Sequence, residues 1–397
     1  MKTIERKTYL DRLKSLRSTP DIKVITGMRR AGKSFLMNCY IEWLRMNEKA
    51  NIIYVDLTLL ENTALKNHIA LNQYVESHYQ ENTNNYLFID EVQLCPNFEW
   101  TINSLHVSRR YDIYIAGSNA FLLSSDLATL FTGRYIELRV FPFSFSEYCA
   151  YYDEDTDIQK QLERYVVEGG LAGSYVYSST ADKMTYLQQI FTTIIERDLS
   201  QKYKIADSEA ITRVAEFLMD NISNTTSANN VANELVRQNL AINHVSARNY
   251  LKYLTNAFVF EKVNRYDMRG RKILLSLEKY YLTDLGLRYA LLGMRNMDWG
   301  RAYENIVCIE LMRRGYQVYI GKLYQKEVDF VAMRGGEKIY IQVSDDISSA
   351  TTLSRELEPL TKIRDAYPKY LIAHTRHVVY DYQGIKIYDL AMWLYNG

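Results

Sequence analysis

The sequence predicts an α/β fold: a P-loop, doubly wound parallel sheet in the N-terminal third, then a helical module and a second α/β segment. Three observations carry this. Residues Gly27-Met28-Arg29-Arg30-Ala31-Gly32-Lys33-Ser34 spell G-x-x-x-x-G-K-[ST]. Apolar, β-branched runs over 21–26, 86–90 and 111–116 alternate with stretches of helical spacing. A chain of 397 residues exceeds one ordinary core, so two or three domains are expected.

The first element pair is the strand 21–26 and a helix opening at Ser34. Between them the two glycines let the backbone turn its N–H groups onto phosphate oxygens at a helix N-terminus. Lys33 places a cation on the β- and γ-phosphates, and the Ser34 hydroxyl ligates Mg²⁺. The expected nucleotide-contacting set is Gly27, Arg29, Arg30, Ala31, Gly32, Lys33, Ser34 and Phe35.

The strand Tyr86-Leu87-Phe88-Ile89 ends in Asp90-Glu91. Ligands bind at the carboxyl ends of such strands, so Asp90 is expected on Mg²⁺ and Glu91 as general base for the attacking water. The plainer alternative is an exposed acidic turn. The strand 111–116 leads into Ser118 and Asn119, which are either polar partners of the γ-phosphate and catalytic water or a simple helix cap. Arg134, after Gly133 and before another strand, is a candidate for stabilising transition-state charge in its own subunit or across a homo-oligomer interface, against a surface salt bridge.

Taken with GMRRAGKS, LFIDEVQ and IAGSN, the segments FTGRYIELRVFPFSFSEY, YYLTDLGLRYALLG, ENIVCIELMRRGYQVYIG, KEVDFVA and IYIQVS resemble prokaryotic AAA-type ATPases that carry a C-terminal domain of unknown function with a nuclease-like fold. The resemblance spans nearly the whole chain. It implies ATP rather than GTP, a hydrolytic Asp90/Glu91 pair, polar sensors at Ser118 or Asn119 and a catalytic Arg134.

Residues 150–210 read as helices broken by a flexible turn at Glu168-Gly169-Gly170. Arg197 and Asp198 are expected to pair with each other rather than reach the nucleotide site. The pattern over 208–285 resembles a winged helix. Its last helix, from Asn243 to Leu254, is expected to bury Val245, Leu251 and Leu254 and to expose His244, Arg248, Asn249 and Lys252. Wing strands are expected at 258–263 and 279–283, with a basic loop of Arg269, Arg271 and Lys272 between them. This module is either a double-stranded DNA binder or a lid that engages a protein.

The order of a helix at 300–311, strands at 317–321, 327–332 and 338–344, a helix and two more strands resembles the restriction-endonuclease-like PD-(D/E)xK fold. The resemblance places Glu304 and Asp329 at two of its metal-site positions. The third, Gln342-Val343-Ser344, lacks both the acid and the lysine, and Lys338 lies too far along the strand to replace it. Nuclease activity is therefore not expected.

Bulk properties agree. The formal net charge of +1 excludes a global basic field, so any nucleic-acid site is a local patch. Cys39, Cys95, Cys149 and Cys308 have no metal spacing and suit a reducing cytoplasm. No stretch is long and apolar enough to cross a membrane, and the charged N-terminus is no signal peptide. The expected domains are 1–150 (AAA-type ATPase), 151–290 (helical lid and winged helix) and 291–397 (inactive nuclease-like domain). The expected activity is ATP hydrolysis whose nucleotide state controls the C-terminal modules. An ATP-gated Mg²⁺-dependent nuclease and a slow ATP switch serving as a protein scaffold are the alternatives.

Overall fold

In a computed structural model describing residues 2–117, 129, 131, 133–153, 157–240, 242–294 and 298–396, the chain divides into two compact units. One is Thr3–Phe141 with Arg197–Lys204; the other is built mainly from Pro142–Glu196 and Ile205–Gly397.

The first unit is an α/β P-loop fold. Strands β1 (Ile22–Thr26), β2 (Ala50–Asp56), β3 (Asn84–Asp90), β4 (Asp112–Ala116) and β5 (Tyr135–Arg139) form a sheet in the order β2-β3-β4-β1-β5. Every pairing is parallel. Such strands are covered on both faces, which is why β1 and β3 read as nearly unbroken apolar runs. On one face Val24, Val55, Leu87, Ile89 and Ile115 pack with Leu71 and Val75 of helix His68–Ser77 and with Ile102 and Leu105 of helix Phe98–Ser108. Burying each such side chain contributes about 1.5–3 kcal/mol. On the other face Tyr40 of helix Lys33–Asn47 meets Phe88 and Tyr114, its hydroxyl 3.1 Å from that of Tyr114. Lys23, fully buried in β1, is satisfied by Asp112 at 2.5 Å and the Thr19 carbonyl at 2.7 Å.

The second unit carries a nine-stranded mixed sheet. Its strands are β6 (Thr225–Thr226), β7 (Phe260–Asp267), β8 (Lys272–Leu282), β9 (Gln317–Leu323), β10 (Lys326–Arg334), β11 (Glu337–Ser344), β12 (Lys369–Ala373), β13 (Tyr380–Tyr382) and β14 (Ile385–Asp389). The order is β13-β14-β12-β11-β10-β9-β7-β8-β6. Helix Trp299–Arg313 packs on β8, β9, β10 and β11, and helix Ala350–Thr361 on β10, β11 and β12.

The expected boundaries at 150 and 290 do not coincide with these units. The first unit ends at Phe141 and takes in 197–204. At the other boundary the hairpin β7–β8 joins the C-terminal strands directly, because β7 pairs in parallel with β9, Tyr266 opposite Gly321. A Cβ on Gly321 would lie 2.9 Å from Met268 Sδ and 3.0 Å from Val328, so a side chain there would make both neighbours shift.

The hairpin strands also run further than expected. Only 268–271 turn, with Asp267 Oδ1 accepting from the Arg269 and Gly270 amides at 3.1 Å each. Nor is the glycine turn at 168–170 free. Asp284 accepts from the Gly170 amide at 2.6 Å, the Gly170 carbonyl accepts from Phe143, and a Cβ on Gly170 would lie 2.3 Å from the Phe143 carbonyl oxygen. Burial pushes Asp284 up to about 7, against the N–H groups of Gly170, Gly286 and Leu171.

Candidate functional site

The phosphate loop leaves the carboxyl end of β1 at Thr26 and enters helix Lys33–Asn47. Gly27 has φ 141°, and a Cβ there would stand 2.1 Å from the Val140 carbonyl oxygen just beyond β5. Gly32 has φ 96° and Arg30 φ 65°, so the loop makes two left-handed turns, one of them on a residue with a side chain. The Ala31 amide closes onto the Met28 carbonyl at 3.1 Å.

Lys33 is buried and bridges the loop, donating to the carbonyls of Gly27 at 2.9 Å and Met28 at 3.2 Å. Desolvation lowers its pKa, with Glu91 and Asp90 opposing. The ammonium is thus held by loop carbonyls, with the carboxylates of Glu91 and Asp90 near it.

Asp90, at the end of β3, is 2% exposed. Burial raises its pKa, and a hydrogen bond with Ser34 pulls it back. The two residues expected on Mg²⁺ therefore lie beside each other. The Glu91 amide donates to Asp90 Oδ1 at 2.9 Å. Glu91 itself sits at φ 53°, its carboxylate accepting from Gln93. A glutamate held in left-handed backbone costs about 1–2 kcal/mol, strain of the kind found at functional turns. Ser34 and Phe35 are exposed at the start of the helix, and Arg30 is exposed on the loop.

Other expectations fare differently. Arg29 makes a two-pronged ion pair with Asp198, at 2.8 and 2.6 Å, so Asp198 pairs with the phosphate loop and not with Arg197. The hydrogen bonds that Arg29 donates to Asp198 raise its pKa despite desolvation. Asp198 lies in the π-helical stretch Ile194–Ser200 that follows helix Thr180–Thr193.

Arg134 is not brought to the loop. Its carbonyl accepts from the Ile22 amide at 3.0 Å, at the start of β1, and β5 then runs parallel from Tyr135 beside Ile22 to Arg139 beside Thr26. A strand length, roughly 15 Å, separates the Arg134 backbone from Gly27. This register keeps the Arg134 backbone away from the phosphate loop of its own subunit, and leaves a surface salt bridge or a role in trans. Asn119 and Ser118 lie outside the described residues.

One loop partner had no signal in the motif. Arg6, buried just before the first helix, donates to the Ala31 carbonyl at 2.9 Å and stacks on Tyr9.

In the second unit, helices Ser208–Asp220, Ala228–Arg237 and His244–Asn256 precede the hairpin β7–β8, with β6 on its edge. A groove of about 520 Å³ is lined by Ser227, Asn229, Arg248, Lys252, Lys262 and Glu278 among others. His244, Arg248, Asn249 and Lys252 are exposed as expected. Val245 is exposed too, because the buried stripe runs through Ala247, Leu251 and Leu254 at helical spacing and leaves it off that face.

Glu304 and Asp329 do converge, but around a residue the motif omitted. Lys279 of β8, 5% exposed, lies 3.0 Å from Glu304 and 2.6 Å from Glu327. Tyr281, two residues on along the same strand face, donates to Glu304 at 2.7 Å. Burial pulls the Lys279 pKa down, but Glu304, Asp329 and Glu327 outweigh it and keep the ammonium charged. Asp329 is pushed up by burial and then by Glu304. Gln342 accepts from the Asp329 amide at 3.3 Å and donates to Glu356 at 3.2 Å. Lys338 is engaged elsewhere, on Asp365 and the Tyr367 ring.

Residues 19–149 match a family described as an AAA domain, and residues 159–298 match a domain of unknown function. An uncharacterized protein of Haemophilus influenzae is 34% identical over 397 residues, covering 98% of each chain. An uncharacterized protein of Methanocaldococcus jannaschii is 28% identical over 358 residues, covering 86% of this chain and 78% of its own. Among solved structures, a Walker-type ATPase of Pyrococcus abyssi superposes with a TM-score of 0.46 at 13% identity, covering 73% of this chain and 96% of that one.

Proposed function

This chain belongs to the same family as the uncharacterized Haemophilus influenzae protein, and because its residues 19–149 match an AAA domain we propose that it binds and hydrolyses ATP as an AAA-type ATPase. The observation that carries the proposal is the juxtaposition of buried Lys33 with the Ser34–Asp90 pair and Glu91 at one end of the sheet. Loop N–H groups and Lys33 hold the phosphates. Ser34 and Asp90 would hold Mg²⁺, which supplies charge neutralisation on the phosphate oxygens. Glu91 orients and deprotonates the water that attacks the γ-phosphorus, the bond to the β-phosphate oxygen breaks, and ADP and phosphate leave. Lys33-dependent release of phosphate from ATP is the test.

Arg29 gives this site a second level of control. Its partner Asp198 competes with the triphosphate for the same guanidinium. Asp198→Asn keeps the shape and removes the competing charge, so ATP affinity should rise by about three- to tenfold. Titration with a fluorescent ATP analogue measures it; weakened binding would instead make Asp198 the residue that aims Arg29 at the phosphates.

Nucleotide state is proposed to control how the C-terminal half engages double-stranded DNA or a protein. The duplex reading rests on the winged-helix element order and on exposed Arg248 and Lys252 beside the groove. Arg248→Glu with Lys252→Glu should lower the slope of log affinity against log salt by about two. An unchanged slope would favour a protein partner. The restriction-endonuclease-like half is proposed to serve as a scaffold with no nuclease activity, and Arg134 to act only across a homo-oligomer interface.

A further inference from the structure

The acidic centre of the second unit combines the helix carboxylate Glu304 with Glu327 and Asp329 of β10. We propose that the ammonium of Lys279 is the resident cation of this centre, so that the native chain takes no divalent metal there and the hairpin β7–β8 is locked to the C-terminal strands by its own side chain. The inference is independent of the ATPase reading.

Three observations carry it. First, Lys279 is buried and stands within 3.0 Å of Glu304 and 2.6 Å of Glu327. A divalent ion ligated by the same oxygens would need to lie about 2.0–2.6 Å from them, in the volume the ammonium fills. Second, Glu304 has a further partner in Tyr281 at 2.7 Å, and Asp329 Oδ2 accepts from the Val343 amide at 2.8 Å, so the carboxylates are oriented by protein donors. Third, Gln342 does not offer its amide oxygen to a metal. That oxygen accepts from the Asp329 amide while the nitrogen donates to Glu356. The residues present fit an ammonium with neutral donors around it and not a metal with open coordination positions.

Chemically, the loss of acid and lysine at 342 and 344 is matched by a lysine arriving from a different strand. Lys279 lies one strand in from the sheet edge, paired with Thr225 of β6 on one side and Val263 of β7 on the other. An internal ion pair at that place fixes register, the best-attested use of a buried pair.

The test is Mn²⁺ binding to the nucleotide-free full chain, followed by electron paramagnetic resonance. Wild type and Asp329→Asn should bind Mn²⁺ alike. Lys279→Met, which keeps the volume and removes the charge, should gain one Mn²⁺ held at least about tenfold more tightly than any in wild type. That gain should vanish when Asp329→Asn is added. A folded Lys279→Met chain that gains no Mn²⁺ overturns the proposal. If Lys279→Met does not fold, wild type decides alone: a Mn²⁺ site lost in Asp329→Asn shows that metal and lysine share the centre and overturns it, and identical binding upholds it.

Discussion

Lys33→Ala weakens ATP binding by roughly a hundredfold and removes measurable turnover. The magnitude follows from the environment. Lys33 is buried, and desolvation depresses its pKa, so its charge is poorly compensated until a triphosphate arrives. Removing one member of a buried, hydrogen-bonded charge pair costs about 2–5 kcal/mol, and 3 kcal/mol is about a factor of a hundred. The folded protein should tolerate the change. The carbonyls of Gly27 and Met28 lose a donor, but an expensive buried ammonium is also removed. Isothermal titration with ATP, beside a thermal melt, separates the two effects. An affinity within a few-fold of wild type would mean that the loop does not hold the phosphates.

Glu91→Gln should leave ATP binding within about twofold and lower turnover by about 10²–10⁴, the contribution of a positioned general base. Glutamine keeps the side-chain volume at a strained turn and a carbonyl oxygen for Gln93. It cannot take a proton from water. Asp90→Asn should act on Mg²⁺ affinity instead, because Asp90 is the carboxylate beside Ser34. Single-turnover phosphate release with saturating ATP checks the assignment. Rapid turnover in Glu91→Gln would move the base elsewhere.

What could be read from the sequence was what is local in it. The phosphate loop is eight consecutive residues, and its chemistry is fixed by their order. Asp90 and Glu91 were placed by one strand's apolar run ending at them. Val245 was missed by local helical phase; the other differences depend on pairings far apart in the chain. Arg134 follows a glycine and precedes a strand as expected, yet the parallel register of β5 on β1 puts it at the wrong end of the sheet. Asp198 finds Arg29 across 169 positions and Arg6 finds Ala31 across 25, and neither pairing leaves a periodic trace.

The continuous nine-stranded sheet was hidden for the same reason. It depends on β7 lying beside β9, and the visible hint was Gly321, a glycine inside a strand. Lys279 carries no signal in the sequence, because it sits in an expected wing strand while the residues it neutralises lie 25 and 48 positions further on, at Glu304 and Glu327. The substitutions at Gln342 and Ser344 were visible as losses; the lysine that accompanies them became visible only with the register.

On this reading the chain hydrolyses ATP at the loop that Lys33 closes. The most direct measurement is phosphate release from ATP by the full chain, with and without duplex DNA, beside Lys33→Ala. Wild-type turnover should disappear in the variant, and DNA should stimulate it if the duplex is the partner. Turnover that persists in Lys33→Ala, or a wild type that releases no phosphate under either condition, would contradict this reading.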